Sequence, residues 1–406
     1  MSTVLITNGQ LVMADRVILD GELFIEQGKI KYAGRHSHYY GKPASFVIDA
    51  NGGYILPGFI DTHSDAIEKE LEPRPGAYFS TELAFCELEK KLAGQGITTM
   101  YHSFSFAGAK LGVRQDKGAA DCIHRITAMA SDCSLIRNKI HLRWEITNFK
   151  AVDLIQELIN EGVVDLLSFM DHTPGQGQYP TIEDYRRYVE KTYHLKGGDV
   201  DKIIADRKAG QLKAGTCVTR LSSAALAAGI ALASHDDDSA EKIAYYYDQG
   251  VTLSEFPINL ATVVAARQSG MDVSVGAPNI VRGGSTGKGM RAIDAITSGH
   301  ANILCSDYYP PAILHAVFFL AERTVNLAEA VAMATIAPAK ALKLDHLGSL
   351  EEGKAGDVIV VKKRNETPVV TNTVVSGVPV YGMNYRSALA INDAKEVASL
   401  RREAHL

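Results

Sequence analysis

The sequence predicts an α/β protein: a (β/α)8 barrel of the TIM type beside a small β-sandwich domain formed by the N- and C-terminal segments. Two patterns carry this. Between residues 54 and 307, eight short apolar runs alternate with helical stretches, and strands that alternate with helices pair in parallel. Outside that span both chain ends hold strand-like runs, and neither end alone has enough apolar surface to make a core. A chain of 406 residues has room for one large barrel with an appendage.

Taken in order, residues 4–7 read as a strand ending at the turn pair Asn8-Gly9, and residues 17–19 as one ending at Asp20-Gly21. Residues 22–26 and 29–33 complete a small β unit. The apolar run Tyr54-Ile55-Leu56, punctuated by Pro57-Gly58, opens the barrel. Further strands follow at 97–101, 140–146, 163–170, 230–233, 251–254, 273–276 and 302–305. A long excursion over 173–229 holds a charged helix capped by Thr181 with Asp184 at N3, a Gly197-Gly198 break and an Ala-rich helix ending at Gly229. After a helical stretch at 326–344, strands return at 358–361 and 373–380. The expected organisation is therefore a composite β-domain from 1–55 and 345–385, a barrel over 56–344, and a helical tail over 386–406. The alternative, an open doubly wound sheet, needs a Gly-rich turn after its first strand, and residues 61–65 make a poor phosphate cradle.

A formal net charge of −5 argues against nucleic-acid or anionic-membrane binding, so any anionic substrate needs local cations. The five cysteines, an odd number with no Cys-x-x-Cys pair, point to a reducing compartment. No secretory pattern opens the sequence, and no apolar run approaches the ~20 residues of a membrane span. A cytoplasmic protein is expected, with homo-oligomerisation left open.

Reactive residues of such barrels sit at the C-terminal ends of strands. His63 and Asp65 stand there on the first strand, Glu145 on the third, Asp171-His172 after the fourth, His235 to Asp238 after the fifth, Glu255 on the sixth and Asp307 after the eighth. His63, Asp65, Glu145, His172, His235 and Asp307 give three imidazoles and three carboxylates, a mixed donor set suited to Mn, Zn, Fe or Co. A carboxylate such as Glu145 can bridge two ions, so two divalent metal ions per chain are expected.

The order His-x-Asp, carboxylate, His, His, Asp resembles the amidohydrolase superfamily, although Asp65 stands where most members have a second His. That departure, with Pro73-Arg74-Pro75, residues 142–145, 168–176, 233–237, 255–257, 276–285 and 306–310, resembles the PhnM proteins of bacterial carbon–phosphorus-lyase pathways. Ser64, where Thr is expected, and a longer C-terminal tail depart from the pattern. The resemblance implies hydrolysis of α-D-ribose 1-methylphosphonate 5-triphosphate to the 5-phosphate and pyrophosphate, a diphosphatase reaction on a phosphorylated ribosyl phosphonate.

The residues fit a polyanionic substrate. Asn279, Arg282, Gly283, Gly284 and Ser285 follow the seventh strand, where loop amides and a guanidinium can converge on phosphate. Arg74 is held between two prolines, and Lys288 can assist. Asp307 is the expected base in a metal-assisted attack on the α-phosphorus. A cyclic-amide hydrolase or deaminase shares the metal site without needing the anion loop, and a non-catalytic scaffold of the same fold would be free to lose ligands.

Overall fold

The computed structural model describes residues 3–35, 39, 43–108, 115–177, 181–193, 197–285 and 289–385. Lys288 and the expected tail helix at 386–406 lie outside the described residues. Five strands precede the barrel: β1 (Thr3–Val12), β2 (Val17–Glu26), β3 (Lys29–Arg35), β4 (Phe46–Asp49) and β5 (Tyr54–Pro57). The barrel strands are β6 (Phe59–Ser64), β7 (Ile97–Phe106), β8 (Arg137–Glu145), β9 (Leu166–Met170), β10 (Ala231–His235), β11 (Leu253–Glu255), β12 (Asp272–Gly276) and β13 (Ile303–Cys305). Three more follow: β14 (Val358–Arg364), β15 (Thr367–Val375) and β16 (Val378–Gly382).

The two chain ends make one sheet, in the order β16-β15-β14-β5-β1-β2-β3, with β4 also pairing to β1. β5 stitches the halves together, parallel to β1 on one side and antiparallel to β14 on the other. Val4, Ile6, Leu23, Ile25, Val358 and Val360 are buried in its core. Tyr54 to Leu56 thus belong to this sheet, and the first barrel strand starts after Gly58. A side chain at Gly58 would put its Cβ 2.3 Å from Thr98, so only glycine permits the handover from one sheet to the other.

The two expected hairpin turns are instead bulges. Asn8 and Asp20 have positive φ (57° and 53°) inside unbroken strands. Gly9 and Gly21 face each other across β1 and β2, where the register shifts. A Cβ on Gly9 would lie 2.6 Å from Ile55, and one on Gly21 2.5 Å from Leu11. The backbone freedom that marks a turn serves here to let core side chains cross above two strands.

The parallel strands run in sequence from β6 to β13, and the ring closes between its first and last members. Ser64 bridges Asp307; the Asp307 amide donates to the His63 carbonyl at 2.9 Å, and the Asp65 amide to that of Asp307 at 2.7 Å. Asp61 Oδ1 accepts the Ser306 amide at 2.9 Å. At the opposite end the loop after the helix Leu327–Ala332 intervenes: Ile60 N donates to Ala334 O and Leu304 N to Met333 O. Alternation sends Leu142, Val273, Val275 and Leu304 outward to the helical layer. Ile60, Tyr101, Leu166, Ala233, Leu253 and Ile303 form a separate apolar plug.

In the excursion, the Asp184 amide donates to Thr181 Oγ1 at 3.1 Å, as the cap reading expected. The helices Ile182–Tyr193 and Gly198–Gln211 bury Tyr185, Val189, Val200 and Ile204 in a small core of their own. Gln211 donates to Asp171 at 2.8 Å, tethering this hairpin to the mouth of the barrel. All five cysteines are free. Among the described residues, no helix is long and apolar enough to cross a membrane.

His102 points outward from β7 against Phe85, its Nε2 2.8 Å from Asn138 Oδ1. Burial pushes its pKa down from 6.5 to about 4. The unfolded chain therefore takes up this proton first, and the stability from a neutral His102 is complete above pH 6.5 and lost as pH falls toward 4. The loss should reach about 3 kcal/mol. Urea titrations at pH 6.5 and 4.5 should show a shallower pH dependence for His102→Gln; an unchanged slope would assign the acid sensitivity elsewhere.

Candidate metal centre

Each strand end delivers its side chain by a local device. Within two residues of the ends of β10, β11 and β13, Asp236, Phe256 and Asp307 all adopt positive φ (54°, 54° and 55°). Non-glycine residues pay for that conformation, and it persists where surrounding structure enforces it. The sharp reversals keep these side chains over the barrel mouth instead of continuing up the strand.

Glu255 is the electrostatic hub. His63 Nδ1 donates to its Oε1 at 3.0 Å, and Ser168 Oγ donates to its Oε2 at 2.9 Å. His141 Nε2 and His235 Nδ1 lie 3.6 and 3.7 Å from Oε2. All of these groups are buried. Burial opposes ionisation of Glu255, yet the surrounding imidazoles hold its pKa well below the ordinary range. Burial likewise opposes charging His63, and the Glu255 carboxylate more than offsets it, so the His63 pKa is raised. His141 has no such surplus and burial drives it down to about 3. Phe256 packs edge-on to both His63 and His235, at 4.9 and 5.2 Å between centroids.

A second group lies beside the first. His172 Nδ1 donates to Glu145 Oε2 at 2.9 Å, while His172 Nε2 and His235 Nε2 each lie 3.4 Å from Asp236 Oδ2. The triads His63–His235–Glu255 and His172–His235–Asp236 each bring three possible ligand atoms within 4.8 Å of one another, and they share His235. Among the described residues, His63 Nε2 and Asp236 Oδ2 are buried without a hydrogen bond of good geometry. Lone pairs turned inward without a donor suit a divalent cation, and a carboxylate on the far nitrogen of a ligand imidazole fixes its tautomer and aim.

Of the residues expected from the sequence, His63, Glu145, His172 and His235 converge in this way. Asp65 stands at the same end but pairs with Arg143, whose Nη1 donates to its Oδ1 at 2.8 Å. Arg143 Nη2 also donates to His235 Nε2 at 3.2 Å. Asp307 is near His63, Asp65, Arg143 and Asp236, and its pKa is raised chiefly by burial. Asp236 and Glu255 stand among the expected strand-end residues but outside the expected ligand set, and the sequence reading gives His141 and Arg143 no role. The available signal was parity: on β8, His141, Arg143 and Glu145 share the inward face.

The anion loop needs correction. Residues 277–282 are helical, and Gly283 is the left-handed C-cap at φ 78°. Its amide donates to Ile280 O and that of Gly284 to Asn279 O, so both serve the cap. Asn279 spends its side chain on Met290 O and the Ala292 amide, holding the return of the loop. Ser285 follows at the edge of the described residues. Arg282 is exposed and donates to the Tyr308 hydroxyl at 3.2 Å. Arg74 sits exposed on a tight turn closed by Ala77 N to Arg74 O, with no side-chain partner among the described residues.

Residues 54–380 match the family described as the amidohydrolase family. The chain belongs to the amidohydrolase family. Within it, it is PhnM-like: it is 32% identical over 368 residues to alpha-D-ribose 1-methylphosphonate 5-triphosphate diphosphatase of Escherichia coli (strain K12), which covers 89% of this chain and 96% of that one. Among solved structures, N-acetylglucosamine-6-phosphate deacetylase from Pasteurella multocida aligns with a TM-score of 0.60 at 14% identity, covering 93% of this chain and 99% of that one. A triazine hydrolase variant aligns with a TM-score of 0.60 at 15% identity, covering 98% and 99%. These structures share the fold. The amidohydrolase superfamily is typically metal-dependent, and the two triads supply ligand groups of the kind it requires.

Glu255→Gln keeps the shape of this hub and removes its charge. Divalent-metal affinity of the amidohydrolase site should fall ~10–100-fold, the usual cost of losing a carboxylate that orients a ligand imidazole. Equilibrium dialysis with elemental analysis reads this directly; unchanged affinity would mean that His63 is aimed by other contacts.

Proposed function

We propose that this amidohydrolase is a diphosphatase that hydrolyses α-D-ribose 1-methylphosphonate 5-triphosphate to the 5-phosphate and pyrophosphate, in phosphonate catabolism. What carries the reading is a buried cluster of inward-turned imidazole and carboxylate lone pairs in a chain so similar to a named diphosphatase. Two divalent ions, Mn, Zn, Fe or Co, would be held by His63, Asp65, Glu145, His172, His235 and Asp307, with the neighbouring Glu255 and Asp236. Bound there, such ions supply Lewis acidity and a lowered pKa for water.

The chain's own residues do the rest. Asp307, beside His63 and Asp65 at the closing seam, takes the proton of the attacking water. The water oxygen bonds to the α-phosphorus, the bond from that phosphorus to the oxygen leading to the β-phosphorus breaks, and pyrophosphate departs with the electron pair. Arg282 stands at the rim, where negative charge accumulates on the departing group. Phe256 and the apolar plug below keep bulk water from entering the site from beneath. We propose a cytoplasmic setting, which the five free thiols support; association of copies of the chain is compatible with it.

Offering the ribosyl triphosphate and ATP to reconstituted enzyme and following products by ³¹P NMR tests the assignment. Pyrophosphate should appear from the ribosyl substrate, and ¹⁸O from labelled water should enter the ribosyl 5-phosphate. Orthophosphate as first product, or label in pyrophosphate, would refute attack at the α-phosphorus. Metal content should approach two ions per chain.

Asp307→Asn should leave a folded protein with kcat reduced at least ~10²-fold. Near-normal turnover would show that another group accepts the proton.

A further inference from the structure

Three elements that follow the first, seventh and eighth barrel strands bring cations together on one tyrosine. Lys69 lies on the helix Ala66–Leu71 after β6, Arg282 ends the helix Ala277–Arg282 after β12, and Tyr308 immediately follows Asp307. Lys69 Nζ donates to the Tyr308 carbonyl at 2.9 Å and stands 4.9 Å from the ring centroid. Arg282 Nη1 donates to the phenolic oxygen at 3.2 Å. Both cations are exposed, and Tyr308 is half-buried.

Like charges gathered on one residue repel unless something between them is negative. Among the described residues neither Lys69 nor Arg282 has a carboxylate partner, although nearby lysines do: Lys91, for example, pairs with Glu70 at 2.6 Å. The donors are also only partly used. Lys69 keeps ammonium hydrogens beyond the one given to the carbonyl, and Arg282 keeps most of its guanidinium fork. The Tyr308 hydroxyl accepts from Arg282, which turns its own hydrogen outward as a further donor. Lys69 engages the carbonyl and ring of Tyr308 and Arg282 its hydroxyl, and two linked phosphates carry enough charge to engage both cations at once. Loops after the seventh and eighth strands are the place where barrels of this class often bind phosphate.

We propose that Lys69, Tyr308 and Arg282 form a diphosphate subsite that holds the distal two phosphates of the substrate and then the departing pyrophosphate. This deepens the diphosphatase reading and rests on it for the identity of the triphosphate. The subsite uses three side chains, with the Gly283 and Gly284 amides committed to the helix cap. Tyr308 adjoins Asp307, so the subsite and the proposed base are carried by the same short segment after β13.

Isothermal titration of metal-reconstituted protein with pyrophosphate and, separately, orthophosphate tests the subsite without turnover. Lys69→Met and Arg282→Met should each weaken pyrophosphate about tenfold, and the double variant about a hundredfold, as expected for lost charge-assisted partners. Tyr308→Phe should weaken it less, and Lys69→Arg should restore most of the affinity. Orthophosphate affinity, metal content and Tm should stay within twofold or a degree or two of the parent. Failure of the parent to bind pyrophosphate, or equal affinity in the double variant, would overturn the proposal. The two readings separate cleanly: ribosyl triphosphate hydrolysis with no effect of the double variant sinks the subsite alone, whereas pyrophosphate binding through these residues without any triphosphate hydrolysis sinks the diphosphatase assignment alone.

Discussion

The barrel is closed by the backbone of the residues whose side chains line its site. The amides of Asp65 and Asp307 and the carbonyls of His63 and Asp307 make the hydrogen bonds that join the first strand to the last. The position of His63 relative to Asp307 is therefore set by main-chain bonds and not by side-chain packing alone. Elsewhere around the ring a small shift in register is a local event. At this seam it would move an imidazole and a carboxylate apart, so fold closure and site geometry are one constraint.

The second requirement is charge balance in a space without water. His63 and Ser168 donate to Glu255, His141 and His235 stand beside it, and the Arg143 guanidinium pairs with Asp65, so these two carboxylates each have a partner. Burying a charge costs several kcal/mol unless it is paired. The serines along the inner wall, such as Ser168, supply hydrogen bonds where an aliphatic side chain would leave a carboxylate oxygen bare. Removing one member strands another, which is why the polar interior behaves as a unit.

Much of this was legible in the sequence. An apolar run that ends abruptly in His, Asp or Glu is a local signal, and it located the strands that feed the site except the first, where the run at 54–56 belongs to the terminal sheet and Phe59–Ser64 carries His63. The role of Glu255 was not local: it stands 192 positions from His63, and its partner is fixed only when the barrel closes. Arg143 lay in plain view within the run from Leu142 to Glu145, and its shared parity with Glu145 was the missed clue. The pairs Asn8-Gly9 and Asp20-Gly21 and the stretch Gly283-Gly284 show a different limit. Sequence reveals that the backbone turns left-handed there, yet a turn, a bulge and a helix cap all make that demand.

The stitching of β5 between β1 and β14 bears on how the chain comes into being. Pro57 ends β5 and Val358 begins β14. With synthesis at roughly 5–20 residues per second, the exposed edge of β5 waits on the order of tens of seconds for its partner. During that interval the edge offers unpaired backbone groups to any passing strand. The terminal sheet must then be the last part of the molecule to assemble, after the ribosome has already released most of the barrel. A nascent chain stalled before residue 358 would carry a formed site and an open sheet, and its fate would rest with chaperones.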